Sequence, residues 1–399
     1  MDQTLAWKPW EKPGDRHLIN RIQWGKPEVA NLERVLQADW FGYGDINEEF
    51  EKALVDSTGI SYVHLTNSGS AAIENGLLAL KADGRWQPGD KVIHPVTTFA
   101  TSISSAINLG MQPIFIETQP GTYVADPEQV IAAVERFPEA RGMVLPHLLG
   151  NIPDMDKIKR ALGPHRFLIE DSCDTMGGMY DGKGIGTFGD VTAFSFYGSH
   201  HITAGGVGGA VATNDQRLQV LLKSLIFWGR DFRPGDADFL KRYTYETLGT
   251  DSQMTGIQAA FGLAQIAKLP TYVQERAKQF SEMTELFGKS DYFDLPVIHP
   301  KAQPSWFSYP VTVKTSAPFD RSAFAKYLTS KGVEVRPVMC GNITLQKPFA
   351  RVPWHSLTGG KFPIGDSVEE RALFVPCWGM PEDQKADYYG IVRDYIQRS

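Results

Sequence analysis

From about Ile60 to Thr213 the chain alternates short apolar runs with amphipathic stretches. The runs read SYVHLT, KVIHPV, QPIFIE, GMVLPH, RFLIED, VTAFSF and GGAVAT, and turn residues separate them. Between them, AAIENGLLALKA and PEQVIAAVERF carry apolar positions at intervals of three and four, the period of a helix. This alternation predicts a mostly parallel, doubly wound α/β sheet crossed by helices. In such sheets ligands collect at the carboxyl ends of the strands, so the residues that follow each run are the first place to look for chemistry.

The pattern changes after residue 250. MTGIQAAFGLAQIAKLPTYVQERAKQFSEMTELF is long, Ala-rich and helical, with Pro270 where a helix would kink or restart. It reads as a connector between a large region, residues 1–270, and a smaller α+β region, residues 271–399. The latter holds WFSYPVTV, a helix near RSAFAKYLTSKG, the run VEVRPVM and a final helix ending near Arg398. No internal repeat or low-complexity tract is visible.

Composition narrows the function classes. With 399 residues the chain can bury a sizeable core and organise more than one domain. Net charge is −6, and Lys and Arg are scattered singly or in pairs, which gives no basic stripe for nucleic acid. The N-terminus is polar, and no apolar run long enough for a membrane span occurs, so a cytoplasmic protein is expected. Cys173, Cys340 and Cys377 form no CxxC pair and no even disulfide set, and cannot supply the four thiolates of an iron-sulfur cluster.

Four stretches hold candidate chemistry. In HLTNSGSAAIENGLLAL a strand ends at Thr66, a Ser/Gly turn follows and a helix begins near Ser70, so backbone amides and the positive helix end could gather on an anion. An N-cap serine explains the same residues without a ligand. In RFLIEDSCD, Asp171 closes a strand among apolar residues and needs a partner, either a protonated ring nitrogen or an arginine. In VTTFAT, Phe99 follows a strand and either stacks on a flat cofactor or fills core. In AFSFYGSHHITAGG, His200 and His201 share a Gly-rich loop, where one could act as acid or base. No spaced His/Cys cluster supports a metal, so none is expected. GIGTFG matches a dinucleotide fingerprint but stands between a charged turn and a strand, the wrong context for one.

In this order, the phosphate cup, the aromatic, the strand-end acid and the loop resemble the fold type I pyridoxal phosphate (PLP) enzymes, aspartate aminotransferase-like, of the sugar aminotransferase family. The resemblance covers nearly the whole chain. The family loop reads roughly FSFxxxKxxTxGEGG, and its lysine, which bonds the cofactor, falls on His200. A branch with histidine there comprises sugar 3-dehydratases, which remove the C3 hydroxyl of a nucleotide-linked 4-keto-6-deoxyhexose. NSGSA, HLLGN, EDSCD, SFYGSHHIT, WGRD, PSWFSYPVTVK and RPVMCGNIT are similar to its motifs. Because FRPGDADFLKRYTYE after WGRD lacks cysteine, the chain resembles the cluster-free kind that acts on GDP-4-keto-6-deoxymannose and renews its cofactor from glutamate.

The resemblance implies roles for individual residues. Gly69, Ser70, Ala71 and Ser195 match phosphate-binding positions, Phe99 the ring-stacking residue and Asp171 the partner of the pyridine nitrogen. Asp174 stands near the cofactor's 3-hydroxyl, and His200 is the acid/base group, with His201 its rival if the loop register shifts. Trp228, Arg230, Trp306 and Arg336 are candidate sugar or diphosphate contacts. The aminated cofactor, PMP, is the implied resting form, and a homodimer is expected by analogy. An aminotransferase, or an inactive relative that only binds cofactor, are the alternative readings. Three departures matter: Asp251 where relatives carry an asparagine that reaches the partner's cofactor phosphate, AGGVGGAV where they have the shorter TGEGGAV, and Leu345 where the dehydratases have arginine.

Overall fold

All seven apolar runs become strands of one sheet: β1 (Tyr62–Thr66), β2 (Lys91–Pro95), β3 (Gln112–Ile116), β4 (Gly142–Pro146), β5 (Phe167–Asp171), β6 (Val191–Ser195) and β7 (Gly209–Thr213). The structure, a computed structural model, describes residues 17–230 and 243–398. The polar N-terminal segment before His17 and most of the cysteine-free stretch after Arg230 lie outside the described residues. The strand order is β1-β7-β6-β5-β4-β2-β3, and His355–Ser356 adds an eighth strand beside β3. β2 to β6 run parallel, whereas β7 is antiparallel to both β1 and β6.

Both faces of the sheet are covered. Val92, Phe115 and Ile169 belong to one hydrophobic cluster, and their chain neighbours Ile93, Ile114 and Leu168 to another. Alternate side chains of one strand thus enter opposite layers, which is why the runs are continuously apolar instead of alternating. Helix α1 (Gly69–Ala82) lies directly on β6 and β7. That approach needs a glycine on the sheet, because a Cβ at Gly209 would sit 2.3 Å from the carbonyl carbon of Ser68.

The long helical stretch is two helices, α3 (Gly256–Ile266) and α4 (Leu269–Phe287), numbered after α2 (Ala100–Asn108). Pro270 occupies the first turn of α4, so it restarts a helix where its missing N–H costs nothing. Past α4, four short antiparallel strands, Phe293–Asp294, Tyr309–Val313, Ala372–Val375 and Arg336–Pro337, make a second sheet. Helices Arg321–Ser330 and Glu382–Arg398 accompany it, and its core contains Phe280, Phe287, Trp306, Tyr309 and Phe324. Only Arg336–Pro337 of the VEVRPVM run is strand. Residues from the chain start also reach this layer, for His17 bridges to Val333. Among the described residues no helix is long and apolar enough to cross a membrane.

One buried cation ties these layers together. Arg276 on α4 is 2% exposed, and its guanidinium donates to the carbonyl oxygens of Trp306, Phe307 and Cys377 at 3.2, 2.7 and 2.9 Å and to Asn20 Oδ1 at 3.1 Å. Burial pulls its pKa down to about 10, which still leaves it charged at neutral pH. Replacing it with an apolar side chain of similar length strands those acceptors. We expect Arg276→Met to lower the stability of the protein by roughly 2–4 kcal/mol, read as a lower urea midpoint with an unchanged m-value.

Candidate active site

The carboxyl ends of β1, β2, β4, β5 and β6 open onto one cavity of about 580 Å³. At the end of β1, Ser68 caps α1, its Oγ accepting from the Ala71 amide at 3.1 Å. The Ala71 N–H is therefore already taken, and Ala71 is not among the wall residues, whereas Ser68, Gly69 and Ser70 are. Ser70 Oγ donates to Thr101 Oγ1 at 2.8 Å. Ser195, at the end of β6, presses close: a Cβ on Gly69 would lie 2.8 Å from both Ser195 Cβ and Cys173 Sγ. A helix N-terminus, hydroxyls and a side chain-free backbone position thus converge on one spot, the composition of an anion site.

Phe99 caps α2 and keeps 53% of its surface exposed on the cavity wall, so it is not core. Asp171 at the end of β5 is 7% exposed. Its carboxylate accepts hydrogen bonds from Ser102 Oγ and, at 3.3 Å, from the Cys173 amide. No arginine or lysine pairs with it among the described residues, so the arginine partner considered from the sequence is absent. A buried carboxylate with only neutral donors retains a demand for positive charge.

The loop after β6 separates the two histidines. His200 lines the cavity, its ring edge-on to Phe307 with centroids 5.1 Å apart, and its Nδ1 lies 3.7 Å from Asp174 Oδ1. Its backbone oxygen accepts from Asn20 Nδ2 at 2.9 Å. Burial, and then the charges of Arg276 and Arg336, push the His200 pKa down to about 3. His201 is 3% exposed, has its Nε2 3.2 Å from the Ser305 carbonyl oxygen and does not line the main cavity. Asp174 is 7% exposed; its Oδ2 accepts from the Leu149 amide at 3.1 Å, and burial, partly offset by that bond, pushes its pKa up to about 7.

The other expected contacts divide. Arg336 lines the cavity, with its guanidinium on Glu334 Oε1 at 2.7 and 2.9 Å. Trp306 is instead 3% exposed and stacked on Phe280, centroids 3.7 Å apart, because an indole in the middle of the small-sheet core is worth more packed than solvated. Trp228 and Arg230 stand outside the wall, the guanidinium 4.3 Å over the indole ring. Asp251 and Leu345 are exposed and also outside it, while Val207 and Gly208 of the lengthened loop belong to it. GIGTFG wraps a carboxylate: the amides of Gly186, Phe188 and Gly189 all donate to buried Glu170. Ser102, Asn20, Arg276 and Phe307 complete the surroundings of Asp171 and His200 without any local sequence signal; they are brought there by tertiary structure alone. No cluster of His, Cys, Asp or Glu fit for a metal ion is present among the described residues.

A sheet with its anion cup, acid and aromatic at these strand ends defines the fold type I aminotransferase class. The chain superposes on the crystal structure of a GDP-4-keto-6-deoxymannose-3-dehydratase mutant with bound GDP-perosamine at a TM-score of 0.88, with 22% identity, covering 94% of this chain and 100% of that one. It superposes on the E coli GDP-4-keto-6-deoxy-D-mannose-3-dehydratase with bound hydrated PLP at 0.86, with 23% identity, covering 94% and 100%. The protein belongs to the DegT/DnrJ/EryC1/StrS aminotransferase family, whose sequence profile matches residues 23–389. Its relatives include the dTDP-4-dehydro-2,6-dideoxy-D-glucose 3-dehydratase of Saccharopolyspora spinosa, 34% identical over 386 residues, which are 90% of this chain and 82% of that protein.

The two shifted groups leave opposite marks on stability. Asp174 keeps a proton in the folded chain up to about pH 7, whereas the unfolded value is 3.8, so its contribution falls as pH rises between them. His200 lacks a proton in the folded chain down to about pH 3, whereas the unfolded value is 6.5, so its contribution rises with pH across that window. The slopes oppose each other wherever the windows overlap. Asp174→Asn removes only the first, and we expect the variant, without ligand, to be more stable than the parent at pH 8 and level with it near pH 4. Urea unfolding at the two pH values measures the difference.

Proposed function

We propose that the protein is a PLP- and PMP-dependent 3-dehydratase, a lyase that removes the C3 hydroxyl of a nucleotide-linked 4-keto-6-deoxyhexose and takes its amino group from glutamate. The observation that carries this reading is the cavity wall: His200 is on it and, among the described residues, no lysine is. A wall without a primary amine offers no side chain to bond the cofactor's aldehyde carbon, and an imidazole can take and return a proton without forming that bond. The S. spinosa relative, a 3-dehydratase by name, points the same way.

The residues fit a phosphorylated pyridine. Gly69, Ser70 and Ser195 form the phosphate seat, where Ser68 has already satisfied the Ala71 amide. Phe99 presents a free aromatic face against which the ring would lie, and Asp171, lacking a cation, would hold a proton on the ring nitrogen. When bound, such a cofactor supplies an electron sink for the carbon attached to its nitrogen. His200, neutral at physiological pH, is in the form that accepts a proton at an imidazole nitrogen facing the cavity, and later delivers it to the departing hydroxyl. Arg336, the one guanidinium on the described wall, attracts the substrate's or donor's anionic group. The reading includes a homodimer: Trp40, Phe41 and Ile257, 55%, 45% and 45% exposed, stand where the Phe41 oxygen meets the Gly256 amide, a joined apolar surface that a second subunit would cover.

Incubation with PMP, glutamate and GDP-, CDP- or dTDP-linked 4-keto-6-deoxy sugars, followed by mass spectrometry, tests the reading. Loss of the C3 oxygen is expected; a product that retains an amine would make the protein an aminotransferase, and no turnover of any sugar a cofactor-binding relative. We further expect His200→Asn to lower turnover by about a hundredfold or more, and His201→Asn to retain most of it. His200→Lys should become covalently labelled by PLP after borohydride, seen by intact mass, whereas the parent protein should not.

A further inference from the structure

His200 has a problem that the residues assigned so far leave unsolved. Its Nδ1 is buried and has no hydrogen-bond partner. An imidazole that takes up a proton becomes a cation, and two guanidinium groups, Arg276 and Arg336, already bias this region against positive charge. Something must orient the ring and offset the charge if the residue is to act as a base near neutral pH.

The geometry points to Asp174: we propose that its Oδ1 is the positioning partner of His200, accepting a hydrogen bond from Nδ1–H so that Nε2 is the nitrogen presented to the cavity. This deepens the dehydratase reading and rests on it. Asp174 Oδ1, 3.7 Å from Nδ1, makes no hydrogen bond of its own, while Oδ2 is fixed by the Leu149 amide. A small rotation of the imidazole closes the gap. Leu149, whose amide holds Oδ2, is in the left-handed region, with φ 56°, a conformation that disfavours a side chain.

The same residue ties the other side of the ring. The Leu149 oxygen accepts from the Phe307 amide at 3.0 Å, and the Phe307 ring meets the His200 ring edge-on. His200, Asp174, Leu149 and Phe307 therefore close a circle of contacts around one imidazole. The remaining titratable or charged groups near the pair are Asp171 and Cys173 beside Asp174, and Arg276, Arg336, His201 and the edge-on ring of Tyr197 beside His200. None of these gives the imidazole an anion at Nδ1. In this arrangement the proton that His200 removes goes to Nε2, the Nδ1 proton stays shared with the Asp174 carboxylate, and Asp174 itself is not consumed. The cofactor-side role suggested for Asp174 by its family position predicts something different: a changed cofactor affinity with an unchanged imidazole.

Two measurements separate these outcomes. In the cofactor-free protein labelled with 15N-histidine, the His200 resonances, assigned by their loss in His200→Asn, should show the Nδ1–H tautomer. Asp174→Asn and Asp174→Ala should both shift the ring away from it or lower its titration midpoint. In turnover, both variants should lose about a hundredfold or more in kcat with KM changed less than threefold, and Asp174→Glu should recover part of the loss. Unchanged His200 resonances with full kcat in both variants would overturn the pairing and leave the dehydratase reading intact. A parent protein that removes no oxygen from any sugar sinks the dehydratase reading instead, and the spectra of the cofactor-free protein still decide the pairing.

Discussion

A guanidinium without a carboxylate holds this molecule in register. Arg276 sits at the seam between α4, the small sheet and the incoming chain, and spends its donors on three backbone oxygens and one amide side chain. A buried charge satisfied only by carbonyl dipoles tolerates little displacement, since each acceptor lost is paid in full desolvation. Asn20, one of its partners, also holds the His200 oxygen, so the same constraint reaches the loop that carries His200. The field of Arg276 is felt there too: after burial, which acts first, it helps to hold both neighbouring imidazoles in the neutral form.

The cavity is a balance of unmet demands. Asp171 has neutral donors but no cation; His200 has cations nearby but no hydrogen-bond acceptor at Nδ1; Asp174 stands between them and resists ionisation. For His200 and Asp174 the burial is costly, and the two costs have opposite dependence on pH. Sites built this way gain most when something bound supplies the missing charge, because the protein has already met the desolvation cost during folding. That is a more specific signature of chemistry than any one of the residues.

Much of this could be read from the sequence, and the limits have physical causes. The seven strands were legible because buried parallel strands are continuous apolar runs, and Asp171, Phe99, Ser70 and His200 because strand ends in such sheets point at one crevice. Pro270 was legible as a break, and that it restarts a helix instead of kinking one is decided by its place in the first turn of α4. Trp306 was not: an indole between Ser305 and Phe307 reads equally as a grip on a ligand or as core, and only the position of Phe280 decides it. Nor was the difference between His200 and His201, since adjacent loop residues face opposite ways according to contacts with Ser305 and Phe307 that are remote in sequence. The Ser102 bond to Asp171 and the reach of Asn20 were invisible for the same reason.

The ring of contacts through Leu149 has a mechanical consequence. Phe307 stands two residues before the small-sheet strand Tyr309–Val313, and Asp174 three residues after β5 of the large sheet, so the imidazole touches groups anchored in both. Any displacement between the two sheets would act as a lever on the tilt of that side chain.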